Sequence, residues 1–247
     1  MAGGRSQMAH CTAGKSRMRS KKKLAAFDID GTVFRSSLLL ELVEELVKEG
    51  IFPARTRAAY EREYVRWLDR KGEYGNYVEK AVMVFARQIQ GIPYKVGEKA
   101  AKTVLLEKKD RVYRYTRDLI STLKKRGYFL IAVSHSPKFI VGPFAKSLGF
   151  DKAYGSIYAA DKKGKFTGSV DFEEIIRDKA AILAHALKKF DADAKRSIAV
   201  GDTENDIPML KLVGQPVAFN PNQKLYRYAK KHGWKVVVER KDVVYAL

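Results

Sequence analysis

Two aspartates follow an apolar strand near the start of the chain. Asp28 and Asp30 come directly after the apolar residues 24–27, and Gly31 ends the run. Side chains two residues apart on an extended strand leave the same face, so both carboxylates share one small volume. Two like charges this close oppose joint ionisation unless a cation lies beside them. The pair therefore predicts metal-assisted phosphoryl transfer with a carboxylate nucleophile; the alternative is a solvated turn after a strand.

Two further predicted strands also end in polar residues. The apolar strand 129–133 leads into Ser134-His135-Ser136, and the strand 197–200 leads into the polar segment 201–206. In a parallel sheet the carboxyl ends of neighbouring strands meet at one edge, where reactive groups collect. A solvated turn explains one such strand end but not three. We therefore favour a catalytic site at this edge.

The elements that must position these residues alternate along most of the chain. Apolar spacing predicts four helices directly after the first strand, at 37–49, 54–71, 75–90 and 94–108. Beyond them the pattern predicts helices 110–126, 137–148, 174–190, 205–212 and 222–232, strands 128–133, 197–200, 216–219 and 234–238, and a short hairpin around 161–164. Such alternation builds an α/β parallel sheet with helices on both faces, and the four early helices then form an inserted lid.

Length, apolar runs and cysteine content limit the classes of protein to which this chain can belong. The 247 residues suit one large domain or a core with an insertion. No apolar run approaches the roughly 20 residues of a membrane span. The single cysteine, Cys11, excludes a disulfide framework and a thiolate zinc site, and it favours a cytoplasmic protein.

The net charge of +20 is unevenly distributed. Residues 1–27 carry seven basic and no acidic side chains, whereas residues 36–108 carry 13 basic and 11 acidic ones. Residues 1–20 have no apolar periodicity and are expected to be a disordered basic tail. The basic surface could attract nucleic acid, but no aromatic and basic recognition motif accompanies it, so we favour a solvated surface.

The motifs and their order resemble the haloacid dehalogenase superfamily, in its phosphoserine-phosphatase-like subfamily IB. The resemblance is carried by Asp28-Ile29-Asp30-Gly31-Thr32, Ser134, Lys179 and Gly201-Asp202-x-x-x-Asp206, with further matches at 143–151, 166–168, Asn220-Pro221 and Gly233-Trp234. It implies a Rossmann-like, doubly wound parallel sheet with an inserted α-helical cap. The implied domains are a core of residues 21–35 and 109–247 and a helical cap of residues 36–108.

The same resemblance implies the catalytic roles. Asp28 would attack phosphorus and form an aspartyl phosphate, and Asp30 would protonate the leaving oxygen and then take a proton from water. Ser134 and Lys179 would hold the phosphate oxygens, and Lys179 would also pair with Asp28 as charge shifts during transfer.

The resemblance also implies Mg²⁺ as the cofactor. The ion would be held by the Asp28 carboxylate, the backbone carbonyl of Asp30 and Asp202, with Asp206 behind them or as an alternate ligand. Thr32 and Asn205 would contact the substrate or a metal-bound water.

Two departures from the phosphoserine enzymes of this family bear on the substrate. Those enzymes carry a glutamate nine residues after the nucleophile, where this chain has Ser37, and two glycines where it has His135 and Ser136. Both departures argue against phosphoserine. In the cap, the arginines 55, 57, 62, 66 and 70 alternate with acids, which indicates surface ion pairs, and the helical spacing of Tyr60, Tyr64 and Trp67 indicates core packing.

We therefore expect a Mg²⁺-dependent phosphatase acting on a small phosphorylated metabolite under a mobile helical cap. Two alternatives stay open at this point. One is a phosphotransferase or mutase of the same fold. The other is a basic RNA-binding protein that keeps the fold without turnover, although a binding protein has no need of the complete set of catalytic residues.

Overall fold

A computed structural model describes residues 21–171 and 178–247, and within them eight strands form one sheet. The strands are β1 Lys23–Asp28, β2 Tyr128–Pro137, β3 Lys152–Ala160, β4 Phe166–Asp171, β5 Ile198–Gly201, β6 Gln215–Phe219, β7 Lys235–Arg240 and β8 Val243–Ala246. Their order across the sheet is β4-β3-β2-β1-β5-β6-β7-β8. The first strand of the chain therefore lies inside the sheet, with later strands added on both sides.

The six inner strands are parallel, as the alternating pattern predicted. β1 pairs in parallel with β2 and β5, whose neighbours β3 and β6 continue the same direction. The two edge strands differ, because β4 pairs antiparallel with β3 and β8 pairs antiparallel with β7. β4 follows β3, and β8 follows β7, after a short turn. A turn of this length can join only antiparallel strands. The prediction of a parallel sheet is confirmed for the inner strands, and β8 was not predicted.

Helices cover both faces of this sheet. They are α1 Leu38–Lys48, α2 Glu61–Leu68, α3 Tyr74–Ile89, α4 Tyr94–Lys108, α5 Arg114–Lys125, α6 Lys138–Ser147, α7 Lys179–Lys189, α8 Ile207–Leu210 and α9 Gln223–Lys231. Ala25 and Phe27 of β1 lie in one apolar cluster with residues of α1 and α3 to α6. Leu24 and Ala26, which point the other way, lie in a second cluster with α7, α8 and α9. The doubly wound α/β architecture is thereby confirmed.

The helical insertion lies between β1 and α5 and is tied to one edge of the sheet. α1, α3 and α4 share the first apolar cluster with the sheet. The turn before α4 also bonds to the β3–β4 hairpin, where the amide of Phe166 donates to Ile92 at 2.9 Å and that of Gly91 donates to Phe166 at 2.8 Å. These contacts place the insertion over the carboxyl ends of the strands.

Several predicted bounds differ from those in the structure. The predicted helix 54–71 is a 3-10 turn at Ala54–Ala59 followed by α2, and the predicted helix 205–212 is a 3-10 turn at Glu204–Asp206 followed by α8. β2 continues to Pro137, so Ser134 lies within the strand. Residues 174–177 of the predicted helix 174–190 and the predicted disordered tail lie outside the described residues. Across the described ranges, no helix has both the length and the apolar character needed to cross a membrane.

Candidate active site

The three polar strand ends lie side by side, as predicted. β1 is flanked by β2 and β5, so the residues that end these strands meet at one edge of the sheet. Asp28 ends β1, and Asp202 follows the last residue of β5. α7 supplies Lys179 from its first position, and Asp178 before it caps the helix by accepting from the amides of Ala180 and Ala181. Parallel pairing thus assembles groups that are more than 100 residues apart in the sequence.

A buried lysine bridges two of the aspartates. Lys179 Nζ lies 2.7 Å from Asp28 Oδ1 and 2.6 Å from Asp206 Oδ1. All three side chains are almost fully buried, with Lys179 only 6% exposed. Buried charges need such partners, because burial without them costs several kcal/mol for each ion.

The buried charges shift the acidity of these groups. Burial raises the pKa of Asp28 to about 7, with the charge of Lys179 opposing the shift and those of Asp206 and Asp30 adding to it. Burial also raises the pKa of Asp202 well above its usual range, and the charges of Asp28 and Asp206 add to that shift. Burial by itself lowers the pKa of Lys179, but the two carboxylates beside it outweigh burial and raise the pKa. The cluster is therefore short of positive charge.

Three carboxylates converge at a distance that suits a metal ion. One oxygen each from Asp28, Asp202 and Asp206 lies within 4.8 Å of the other two. The Thr32 hydroxyl lies 3.2 Å from both Asp28 Oδ2 and Asp202 Oδ1 and so connects the first two carboxylates. Carboxylate oxygens are the ligands that hard divalent cations prefer, and an added cation would offset the repulsion that adds to burial in raising the two pKa values. The residues present therefore fit a metal ion.

Gly31 makes room for this arrangement. It has a φ of +83°, and a Cβ atom at this position would collide with the carboxylate of Asp202. Only glycine adopts this backbone conformation without strain while leaving the space free. The glycine of the Asp-x-Asp-Gly motif is thus required by the close approach of Asp202, which lies far away in the sequence.

Both carboxylate oxygens of Asp206 accept hydrogen bonds. Oδ1 pairs with Lys179, and Oδ2 accepts from the amides of Asp202 at 3.1 Å and Thr203 at 3.0 Å. A Cβ atom on Gly201 would lie 2.5 Å from the Cβ of Asp206, so glycine is also required here. Asp206 therefore positions Lys179 and the loop that carries Asp202.

Asp30 is held by a separate set of donors. Its carboxylate accepts from the hydroxyl of Ser134 at 2.5 Å, from the hydroxyl of Ser136 at 3.0 Å, and from the amide of Leu38 at 2.6 Å. The Leu38 amide is the first of α1, and a carboxylate at a helix N-terminus is favoured by the helix dipole. Asp30 is not one of the three grouped carboxylates, so its side chain and the metal cluster are distinct parts of the site.

Ser136 was not among the predicted site residues. Its hydroxyl donates to Asp30 and accepts from the amide of Leu39 at 3.1 Å, and its side chain is buried. The two-residue spacing that places Asp28 and Asp30 on one face also places Ser134 and Ser136 on one face of β2. That spacing is the signal that could have identified it.

Asn205 is less closely associated with the cluster than its neighbours. It lies exposed in the 3-10 turn between Glu204 and Asp206, whereas Asp206 is buried. Its contact with substrate stays a prediction.

A cavity of about 460 Å³ opens between the insertion and the sheet, next to this cluster. Gly31 and Asp202 form its inner end, and α1 contributes Glu41 and Glu44. The insertion contributes four aromatic side chains: Tyr64, Trp67, Tyr74 and Tyr77. The expected core packing is correct for Tyr60, which is 2% exposed, but Tyr64 and Trp67 also line the cavity.

Comparison with known proteins gives consistent matches. A family model described as haloacid dehalogenase-like hydrolase matches residues 25–211. The phosphoserine phosphatase of Methanocaldococcus jannaschii is 29% identical over 203 residues, which cover 82% of this chain and 87% of that enzyme. The phosphoserine phosphatase of Archaeoglobus fulgidus is 26% identical over 211 residues, which cover 85% of this chain but only 56% of that enzyme.

A solved structure agrees with these sequence matches. A phospho-aspartyl intermediate analogue of phosphoserine phosphatase superposes with a TM-score of 0.61 and 26% identity, covering 90% of this chain and 96% of that one. The expected resemblance to phosphoserine phosphatases is confirmed, as is the expectation of a hydrolase. Since the family model spans most of the sequence, the chain belongs to the haloacid dehalogenase-like hydrolase family and, within it, is phosphoserine-phosphatase-like.

Proposed function

We propose that this protein is a Mg²⁺-dependent phosphatase that hydrolyses a small phosphomonoester through an aspartyl phosphate on Asp28. The observation that carries the proposal is the Lys179 bridge, in which one buried cation holds Asp28 and Asp206 beside Asp202. A buried carboxylate at a sheet edge, oriented by a lysine and short of positive charge, suits attack on an anionic substrate once a metal ion is bound.

Asp28 is the nucleophile in this proposal. A carboxylate oxygen attacks phosphorus while the bond from phosphorus to the leaving oxygen breaks. Lys179, which bonds to the other oxygen of Asp28, fixes the orientation of the carboxylate and balances charge as the phosphoryl group arrives. Thr32 restricts the same carboxylate from the opposite side.

Asp30 is the acid and then the base. It supplies the proton that the leaving oxygen takes up, and it later accepts a proton from the water that cleaves the acyl phosphate and restores Asp28. Ser134 and Ser136 hold Asp30 in place before substrate binds. When phosphate enters, the Ser134 hydroxyl would donate to a phosphate oxygen instead, which frees one side of Asp30 for proton transfer.

The carboxylates of Asp28 and Asp202 and the backbone carbonyl of Asp30 would hold Mg²⁺, with Asp206 behind them. When bound, the ion supplies positive charge that offsets repulsion between Asp28 and an anionic substrate. The phosphate oxygens would be held by Ser134 and Lys179, with Thr32 and Asn205 nearby.

The remaining parts of the proposal concern the domains and the setting. Residues 36–108 are the cap that covers the site, and residues 21–35 and 109–247 are the catalytic core. The aromatic wall supports this division, because the insertion supplies one side of the cavity and the core supplies the reactive groups. The substrate is a small phosphorylated metabolite, and the single cysteine supports a cytoplasmic setting.

The test is phosphate release from p-nitrophenyl phosphate and a panel of phosphorylated metabolites, with and without Mg²⁺. We expect turnover that needs Mg²⁺ and that falls by a factor on the order of 10⁴ or more in Asp28→Asn. In the wild type, an acid-quenched reaction should yield a phosphorylated peptide that contains Asp28.

Asp118→Asn is the matched control, since Asp118 is exposed on α5 and pairs only locally with Arg117 at 2.9 Å. It should behave as the wild type. Equal turnover in Asp28→Asn and the wild type would exclude Asp28 as the nucleophile. Transfer of phosphate to an added alcohol, with no free phosphate released, would identify a phosphotransferase instead.

A further inference from the structure

The cap side of the cavity is an aromatic surface. Trp67 and Tyr77 have nearly parallel rings, at 12° with centroids 6.1 Å apart, and Tyr74 lies 5.1 Å from Trp67. Tyr64 lies 5.2 Å from Tyr77, and all four rings line the cavity. From the core side, Tyr113 adds a fifth ring beside Asp202.

These rings are not fully covered by one another. Tyr64, Trp67, Tyr74 and Tyr113 are each partly exposed, and Tyr77 is 7% exposed. These rings pack against the apolar core, and they also present ring surface to a cavity of about 460 Å³. Such surface binds either a flat ring by stacking or a cation by its interaction with the ring face.

Three charged side chains that line the cavity, Glu41, Glu44 and Arg57, each have a partner within the protein. Glu41 pairs with Lys108 at 2.6 Å, and Arg57 pairs with Glu61 at 3.1 Å. Glu44 accepts from the Tyr60 hydroxyl at 3.3 Å. The charges of Glu41 and Arg57 are therefore already balanced within the protein.

Two ring faces are also occupied by the protein's own cations. The guanidinium of Arg57 lies 5.3 Å from the ring centroid of Tyr64, and that of Arg35 lies 5.6 Å from the centroid of Tyr113. A substrate ammonium placed at Tyr64 or Tyr113 would lie near these guanidiniums, and like charges at such distances repel. The arrangement therefore favours an uncharged ring over an ammonium group.

Ser37, which stands where the phosphoserine enzymes carry a glutamate, has no charge that would bind an ammonium group of the substrate. It is buried, and its backbone carbonyl accepts from the amide of Glu41 at the start of α1. Ser37 lies outside the cavity lining.

We propose that the organic group of the substrate carries a flat, uncharged aromatic ring that stacks against Trp67 and Tyr74 while its phosphate lies at Asp28. This inference rests on the proposed phosphatase function and specifies its substrate class. The phosphate must reach Asp28 past Gly31 and Asp202, so the ring lies outward from them, between the cap aromatics and Tyr113.

The test compares benzyl phosphate with cyclohexylmethyl phosphate. Both release a primary alcohol and have the same number of carbon atoms, but only the first has a flat aromatic ring. We expect kcat/KM for benzyl phosphate to exceed that for cyclohexylmethyl phosphate about tenfold, the size of one aromatic pair contact. The same ratio should fall to about threefold or less in Trp67→Leu or Tyr74→Leu.

Tyr245→Leu is the matched control, because Tyr245 is an exposed aromatic residue on the edge strand β8 and lies outside the cavity lining. It should keep the wild-type ratio. Two cap variants are used so that the test still stands if one of them fails to fold. The ratio of kcat/KM values in the wild type tests the proposal without any variant.

A wild-type ratio near one, or a preference for 2-aminoethyl phosphate over benzyl phosphate, would overturn the ring proposal while leaving the phosphatase proposal intact. An unchanged ratio in a folded Trp67→Leu and Tyr74→Leu would do the same. Absence of Mg²⁺-dependent phosphate release from every compound, including the general panel, would overturn both proposals.

Discussion

The two ends of the cavity are built in different ways. Behind Gly31 and Asp202 at the inner end, Asp28, Asp206 and Lys179 are buried and make short, specific contacts. At the outer end, the insertion presents partly exposed rings, and Arg57 among them pairs with Glu61 at the surface. The inner end is a rigid polar cluster with little tolerance for change, whereas the outer end is an apolar wall in which one ring can replace another.

The difference follows from the cost of burying charge. A buried carboxylate must have its partners in fixed positions, so the residues around it are constrained in type and spacing. Aromatic surface needs only area and approximate shape, so many sequences can supply it. In the function we propose, the inner end therefore carries the reaction chemistry, and the outer end selects the substrate.

Removing the buried lysine tests the rigid end most directly. Lys179→Met leaves Asp28 and Asp206 without their cation, and we expect it to lower the free energy of unfolding by about 3–5 kcal/mol. Turnover should fall to background. Urea unfolding followed by circular dichroism measures the first effect, and added Mg²⁺ should recover part of the loss because the ion neutralises the same carboxylates.

Lys224→Met is the matched comparison. Lys224 also bridges two carboxylates, lying 3.0 Å from both Glu73 and Glu204, but it is 58% exposed where Lys179 is 6% exposed. Solvent screens an exposed pair, so this variant should unfold close to the wild type. If the two variants lost equal stability, burial could not be the reason for the difference between the two ends.

A second comparison uses two glycines with left-handed backbones. Gly31 has a φ of +83° and lies against Asp202, whereas Gly50 has a φ of +71° and no atom within 4 Å of the place where a Cβ atom would lie. Alanine at either site should cost about 1–2 kcal/mol of stability from the backbone alone. Gly31→Ala should also displace Asp202, lowering turnover about 100-fold and weakening the response to Mg²⁺.

Titration of activity with Mg²⁺ separates the two glycine variants. Gly50→Ala should keep the wild-type Mg²⁺ dependence. A normal Mg²⁺ dependence in Gly31→Ala would show that Asp202 does not need the space that this glycine leaves.

The smallest expected effect concerns Ser136. In Ser136→Ala, Asp30 keeps Ser134 and the Leu38 amide but loses one donor, and we expect turnover to fall about tenfold. Ser156→Ala removes another buried hydroxyl, which donates to the His135 carbonyl at 2.7 Å and does not contact Asp30. Single-turnover measurements should show a slower chemical step only in Ser136→Ala. Equal rates in both variants would remove Ser136 from the catalytic arrangement.

Local sequence predicted the inner end well and the outer end poorly, for a physical reason. The positions of Asp28 and Asp202 follow from strand ends, which are local features, whereas Lys179 was identified only through the family resemblance. Ser136 was missed because its role depends on where Asp30 turns, and that depends on the start of α1. The helix predicted at 54–71 is interrupted at Tyr60, whose φ of −129° and ψ of 4° are not helical, so that a 3-10 turn precedes α2.

Residue order alone was enough to predict the alternation of strands and helices, the chemistry of the strand ends and the family to which the chain belongs. These depend on periodicity and on residue types at short spacing, which the chain carries locally. It was not enough to predict that Lys179 also pairs with Asp206, that Gly31 lies against Asp202, or that Trp67 and Tyr74 face a cavity. Each of these features joins residues that are distant in the sequence, and only the packing of the insertion and the order of the strands brings them together.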